Sequence, residues 1–157
     1  MADEIERKFL LQNDSWRQQV FRTKSIRQGY LVSDEIRSVR VRIADDEAYL
    51  NIKSATLGIS RSEYEYTIPL ADAQELLDNL CRRPLLEKTR HFLHYGDHLW
   101  EIDVFQGDNA GLVVAEVELT DAEENFERPV WLGEDVSYDK RYYNACLIDN
   151  PYKNWRP

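Results

Sequence analysis

Glu4-Ile5-Glu6-Arg7-Lys8 places acid, acid and base at every second position near the start of the chain. In an extended strand successive side chains point to opposite faces, so Glu4, Glu6 and Lys8 share one face while Ile5, Arg7 and Phe9 take the other. Two carboxylates at that spacing can grip one hard divalent cation, and the ammonium beyond them can reach a phosphate bound to that cation. The same residues also suit an ordinary solvated strand face, where Glu, Arg and Lys usually sit. Recurrence downstream decides between the two.

The spacing returns repeatedly. Arg40 and Arg42, Glu63 and Glu65, Lys88 and Arg90, Glu101 and Asp103, and Glu116 and Glu118 are all charged pairs of one sign, two residues apart. Val41, Tyr64, Thr89, Ile102 and Val117 stand between them, and Lys53 adds a single cation. A sheet with its charges in water accounts for alternation, but not for the sorting into acidic and basic strands. A sheet closed with its charges inward accounts for both. One wall then carries acids for metal, another carries cations for a polyanion, and the apolar residues face helices or a partner subunit. Two like charges about 4 Å apart repel by roughly 4 kcal/mol at an effective dielectric of 20, so such an interior calls for mutual neutralisation, metal and a charged ligand. Acid pairs without histidine or thiolate favour Mg2+ or Mn2+ over zinc. A metal among Lys and Arg is suited to phosphoryl chemistry.

The rest of the chain supplies short strands and few helices. Strands are expected over Asp3–Leu11, Ser25–Val32, Ile36–Ile43, Ala48–Ser54, Ser60–Pro69, Leu85–Tyr95, Leu99–Phe105 and Leu112–Leu119, with a hairpin turn at Asp45-Asp46 and a loop around Gly58. Leu70–Cys81 carries an apolar stripe of Ala73, Leu76, Leu77 and Leu80 at helical spacing, ended by Pro84. Shorter helices are expected at Asp14–Gln19, with Asp14 as N-cap, at Thr120–Phe126, where Thr120 and Glu123 have capping-box spacing, and in the tail after Trp131 through Ile148. Most connections are too short for parallel crossovers, so the sheet is expected to be antiparallel, and eight strands suit a small closed barrel. The fold class is therefore mainly β (α+β), one domain over 1–157.

At 157 residues with 43% hydrophobic and 31% charged content, the chain suits a globular protein. A net charge of -9 argues against general affinity for nucleic acid or anionic membrane, without excluding a local cationic pocket. No apolar run has the length of a membrane span, and no secretory leader is visible. Cys81 and Cys146 are far apart and form no CxxC pair, which suggests a reducing, cytoplasmic setting. His91, His94 and His98 lack zinc-site spacing and are expected at the surface or a strand edge, and Trp100, Trp131 and Trp155 are expected to pack.

EIERKFL resembles the ExExK motif of the CYTH superfamily, the triphosphate tunnel metalloenzymes, and VRVRI, NIKS, SRSEYEY, LEKTR, EIDVF, VAEVEL and DKRYYN extend the resemblance through most of the chain. The resemblance implies an antiparallel eight-stranded barrel enclosing a charged tunnel, and metal-dependent hydrolysis of a triphosphate. It implies Glu4, Glu6, Glu116 and Glu118 as ligands for Mg2+ or Mn2+, with Asp103 as a further one. It also implies Lys8, Arg40, Arg42, Lys53, Lys88 and Arg90 as phosphate-binding groups, and Lys53 paired with Tyr30 at the catalytic position. Glu63 and Glu65 assist a second metal or orient water in this scheme. Glu101 is expected to pair with an interior cation, Arg7 and Arg61 to lie on the outer face, and bulky Tyr142, Tyr143 and Trp155 to plug one mouth.

The compact chain resembles the small bacterial members acting on inorganic tripolyphosphate. Thiamine or nucleoside triphosphate hydrolysis and an adenylate cyclase are the enzymatic alternatives, and no seat for adenine is visible. A polyphosphate-binding module is the non-enzymatic alternative, and outward apolar strand faces would suit a homodimer.

Overall fold

The computed structural model describes residues 2–54 and 59–155. The period-two segments form β1 (Ala2–Leu11), β2 (Arg22–Ser33), β3 (Arg37–Ala44), β4 (Glu47–Ser54), β5 (Ser60–Ile68), β6 (Leu86–Tyr95), β7 (His98–Phe105) and β8 (Val113–Leu119). They pair antiparallel in the order β5-β4-β3-β2-β6-β7-β8-β1, and β1 pairs again with β5 to close the barrel. A ninth strand, β9 (Leu132–Asp135), adds to the end of β1. The tight Asp45-Asp46 connection places Asp45 at φ 56°, which a short polar side chain tolerates. Its carboxylate accepts from Ser25 N at 2.9 Å and ties the hairpin back to β2. The expected Gly58 loop lies outside the described residues.

Registry fixes which way the charges point. Glu6 pairs with Glu118, Lys8 with Glu116, Glu101 with Glu116, Arg90 with Asp103, Arg40 with Asn51 and Lys53 with Glu63. Directly paired residues share a face, so the charged residues form one continuous inner wall. The apolar core is therefore displaced to the outside and to one end. Phe9, Trp16, Leu93, Trp100, Ile102, Val117 and Trp131 pack on the outer face of β1, β6, β7 and β8. The helix α1 (Leu70–Asn79) seats Ala73 and Leu77 against Val41 and Ala48 on the outer face of β3 and β4. The tail, including α2 (Asn144–Asp149), closes one end with Tyr142, Leu147 and Ile148 against Tyr30, Leu86, Phe105 and Val114.

Gly29 makes room for that arrangement. A Cβ there would stand 2.7 Å from Leu85 Cδ2 and 2.9 Å from Cys81 Cβ, so the segment after α1 can approach β2 only at a glycine. Two residues later β2 carries a bulge, since Tyr30 pairs with Arg40 but Val32 with Val39.

Three local expectations are corrected. Thr120–Phe126 is not a helix: the Thr120 hydroxyl and amide both donate to Glu124 Oε1, Glu123 N donates to Asp121 Oδ1, and Phe126 turns in beside Phe9 and Trp100. Local side-chain bonds and a core anchor outcompete the helix. Segment 14–19 forms a 3-10 turn over Ser15–Gln19 whose Ser15 amide is capped by Asn13 rather than by Asp14. The stretch after Trp131 begins as strand β9 and becomes helical only late, in a 3-10 turn over Lys140–Tyr142 and then α2. No helix among the described residues is long and apolar enough to cross a membrane.

Candidate active site

Strand order sorts the inner wall by sign. Lys53 on β4, Arg40 and Arg42 on β3, and Lys88 and Arg90 on β6 lie on neighbouring strands around β2, forming a cationic arc. Glu101 and Asp103 on β7, Glu116 and Glu118 on β8, and Glu4 and Glu6 on β1 form the opposing acidic arc. Lys8 lies beyond Glu6 on β1. A cavity of about 490 Å3 opens on this wall, lined by Glu6, Lys8, Tyr30, Arg40, Lys53 and Arg61 and roofed by Lys140, Tyr143 and Asn144 of the tail. The structure thus brings Glu6, Lys8, Tyr30, Arg40 and Lys53 to one cavity, and sets Arg42, Lys88, Arg90, Asp103 and Glu116 deeper along the same inner face.

The acids and cations hold one another at the rims of the arcs. Lys53 Nζ lies 3.2 Å from Glu4 Oε2 and 3.2 Å from Glu63 Oε2, and no hydrogen bond joins it to Tyr30 among the described residues. Burial works to raise the Glu4 carboxyl, but Lys53 and Arg61 beside it prevail and hold it at about 2. Burial, with Arg40 and Arg61 nearby, pushes the Lys53 ammonium down to about 8. Arg61 is not on the outer face. It is the register partner of Glu4, donating from Nε to Glu4 Oε1 at 3.1 Å, with Nη2 3.8 Å from Glu6 Oε1. Its parity with Glu63 and Glu65 carried that signal. Arg7 does face outward and pairs with Asp135.

Asp103 is 1% exposed, and both of its oxygens are taken by cations: Lys88 Nζ at 2.7 Å and Arg90 Nε and Nη2 at 2.8 and 3.0 Å. Arg90 also reaches Glu101 at 3.3 Å, as expected of that acid. Lys88 is fully buried, and burial pushes its ammonium down to about 7 against the pull of Asp103. The tail supplies neutral acceptors, the Tyr142 carbonyl at 3.2 Å from Lys8 Nζ and Asn144 Oδ1 at 3.2 Å from Lys88 Nζ. It is pinned to β1 by Ser137, whose Oγ accepts from Lys8 N at 2.8 Å. Of the two basic tail residues, Lys140 lines the cavity, while Arg141 pairs with Asp139 and lies over Trp155.

Two guanidiniums stand apart. Arg40 is buried, and Arg42 is held only through Nε, by Gln28 Oε1 at 2.9 Å; among the described residues neither pairs with a carboxylate. Burial, with Arg40 and Arg90 close by, pushes Arg42 down to about 9, still a cation at neutral pH. Buried charge without a counter-ion is costly, so this end of the cavity is built for an anion.

The acidic arc has the complementary excess. Burial and the charges of Glu116 and Glu4 push the Glu6 carboxyl up to about 8, and Glu118 is raised by burial and by Glu4, Glu101 and Glu63. A site where carboxyls retain protons is one where a divalent cation can replace them, and an all-oxygen donor set fits a hard ion. Among the described residues no three carboxylates converge on one point, because Lys53, Arg61 and Lys8 hold Glu4, Glu6 and Glu116. Gln28, Asn51, Arg61 and Ser137 were not singled out from the sequence as site residues. Of these, Gln28 and Asn51 share the parity of the inward-facing charges on their strands.

Comparison with known proteins agrees with this geometry. The chain is 44% identical over 156 residues to an inorganic triphosphatase of Acetivibrio thermocellus, covering 99% of both chains. It is 38% identical over 149 residues to an inorganic triphosphatase of Nitrosomonas europaea, covering 92% of this chain and 95% of the relative. A crystal structure of an inorganic triphosphatase superposes with a TM-score of 0.66 at 34% identity, covering 100% of this chain and 98% of the other. An adenylyl-cyclase-like protein from Hippeastrum shares the fold, with a TM-score of 0.62 at 18% identity over 76% of this chain and 81% of the other. Residues 2–143 match the CYTH domain, and with the barrel and its sorted charges this makes the chain a member of the CYTH domain family.

Proposed function

We propose that this protein hydrolyses inorganic tripolyphosphate to pyrophosphate and phosphate with Mg2+ or Mn2+. The observation that carries the reading is the Arg40–Arg42 pair, Arg40 buried and Arg42 half-buried, without a carboxylate partner among the described residues and facing an acidic arc across the same tunnel. The two relatives named as inorganic triphosphatases, both aligned over nearly the whole chain, support the choice of substrate.

In this reading Arg40, Arg42, Lys8, Lys53, Lys88 and Arg90 bind the phosphate oxygens, and their charge is aimed where charge develops in the transition state. Glu4, Glu6, Glu116 and Glu118 hold the metal, which when bound neutralises phosphate charge and favours attack by water. Asp103, expected as a further ligand, has its oxygens on Lys88 and Arg90 and serves by fixing those two cations. Lys53 and Tyr30, both on the cavity wall, take the catalytic positions next to the scissile phosphate. Lys8 and Lys88 exchange their tail acceptors for phosphate oxygens as substrate enters. We place the protein in the cytoplasm as a single-domain enzyme. We expect a homodimer through outer sheet faces such as that of β5, where Tyr64 and Tyr66 are exposed.

Phosphate release from tripolyphosphate, ATP and thiamine triphosphate, each with Mg2+, Mn2+ or chelator, tests the reading. A metal-dependent preference for tripolyphosphate is expected. Pyrophosphate release from ATP alone would make it a cyclase, and binding without turnover a polyphosphate-binding module.

A further inference from the structure

Gln28 occupies the middle of the cationic arc. It lies on β2, paired with Arg42 of β3 and Leu86 of β6, and it is fully buried. Arginine Nε can only donate, so the 2.9 Å bond from Arg42 Nε identifies the amide atom it meets as oxygen. Gln28 Nε2 is thereby fixed on the other side, where it is buried without a hydrogen-bond partner among the described residues. Buried donors are nearly always satisfied, so an orphan of this kind marks a place for an acceptor from outside the chain.

Among the described residues two other polar atoms on this wall are orphaned, Arg40 Nε and Asn51 Oδ1. They belong to register partners, so a donor and an acceptor stand on adjacent positions of the wall. Neither register partner of Gln28 supplies such a complement. Its partners are a cation and an aliphatic residue, and the tunnel-facing positions flanking them are Arg40, Ala44 and Lys88, which offer donors or apolar groups.

We propose, resting on the functional reading above, that Gln28 is a substrate-binding and positioning residue of the triphosphate site. Its Oε1 orients the Arg42 guanidinium, leaving Nη1 and Nη2 for phosphate, and its Nε2 donates to a phosphate oxygen. A neutral donor suits this point of the arc. A further cation among Arg40, Arg42, Lys88 and Arg90 would add repulsion, whereas an amide adds a hydrogen bond without charge.

The side-chain amide resonance of Gln28 in the wild-type chain, followed by NMR during titration with tripolyphosphate in chelator, tests the donor role. A downfield shift of a Gln28 Nε2 proton at saturation is expected. Shifts at the Arg40 and Arg42 amides with an unmoved Gln28 would overturn the inference alone. Kinetics of Gln28→Met, which removes both amide contacts at similar length, gives the second arm. Its KM for tripolyphosphate is expected to rise about tenfold or more, the loss of one hydrogen bond to a charged group, with the thermal midpoint unchanged. A folded Gln28→Met with wild-type KM overturns the inference. A wild-type chain that shows no shift in the tunnel and releases no phosphate overturns the functional reading and this inference with it.

Discussion

Glu6 on β1 and Glu118 on β8 are register partners on the inner wall of the barrel. Like charges directly opposite in an antiparallel pair destabilise it, so a divalent cation at this point should stabilise the fold as well as serve chemistry. Mg2+ or Mn2+ at a hundredfold excess over its Kd is expected to add about 2.7 kcal/mol to unfolding stability. Glu6→Gln is expected to stabilise the metal-free protein and to lose most of that increment. Urea unfolding with metal and with chelator measures both, and an unchanged increment would remove Glu6 from the ligand set.

Arg42 gives the opposite signature from an ordinary buried charge. Crowded by Arg40 and Arg90 and without a carboxylate partner among the described residues, it is a burden on the empty fold. Arg42→Met is expected to leave the thermal midpoint unchanged or higher while kcat/KM for tripolyphosphate falls about a hundredfold or more. Arg40→Lys should not restore activity to an Arg40→Ala level of loss by more than a small factor, because a point charge cannot replace a planar fork.

Asp103 is the counter-ion on which Lys88 and Arg90 converge. Asp103→Asn leaves two buried cations short of charge and is expected to cost about 3–5 kcal/mol. The loss should be the same in chelator and in Mg2+. A loss appearing only with metal would instead make Asp103 a ligand.

The loop after β8 carries a pH signature. Glu124 accepts from the Thr120 hydroxyl and amide and meets His98 Nε2 at 2.5 Å, contacts that hold its carboxyl at about 2 instead of the usual 4.5. Because the folded value is depressed, the stabilisation is fully present above the unfolded value and is lost as pH falls through the folded one. Glu124→Gln should therefore destabilise the protein at neutral pH. The gap from wild type should close progressively below about 4.5. Urea midpoints across that range decide it.

Gly29→Ala tests the packing that aims Gln28 and Tyr30 into the tunnel. The added methyl meets Leu85 and Cys81 inside van der Waals distance, so a loss of about 1–3 kcal/mol is expected, as for other overpacked positions. Because the shift falls between two tunnel residues, KM for tripolyphosphate should rise in the same variant.

Chain parity alone was enough to read most of the tunnel wall. Side chains two apart on a strand must share a face, so Glu4 with Glu6, Arg40 with Arg42 and Lys88 with Arg90 were legible before any pairing was known. Their interleaved apolar partners likewise had to face α1 or the Trp16–Trp100–Trp131 cluster. Parity also held the position of Arg61, which shares the face of Glu63, but a lone cation beside an acidic pair reads equally well as an outer residue until β1 is seen opposite it. Local pattern failed where bonds from outside the segment won. Glu124 and the half-buried Phe126 undo a helix with good capping spacing, and β1 draws Leu132–Asp135 into a strand too short to show a period.

What the sequence by itself determined is the set of inward charges, because strand geometry leaves each residue only two faces. Which charge neighbours which was decided by tertiary structure, since strand order and register depend on contacts between segments far apart in the chain. That is why the sequence showed acidic and basic strands, and only the closed barrel gathered them into two opposing arcs. It is also why Gln28 was unremarked until the fold set it between Arg42 and Leu86, with one amide atom held and the other bare.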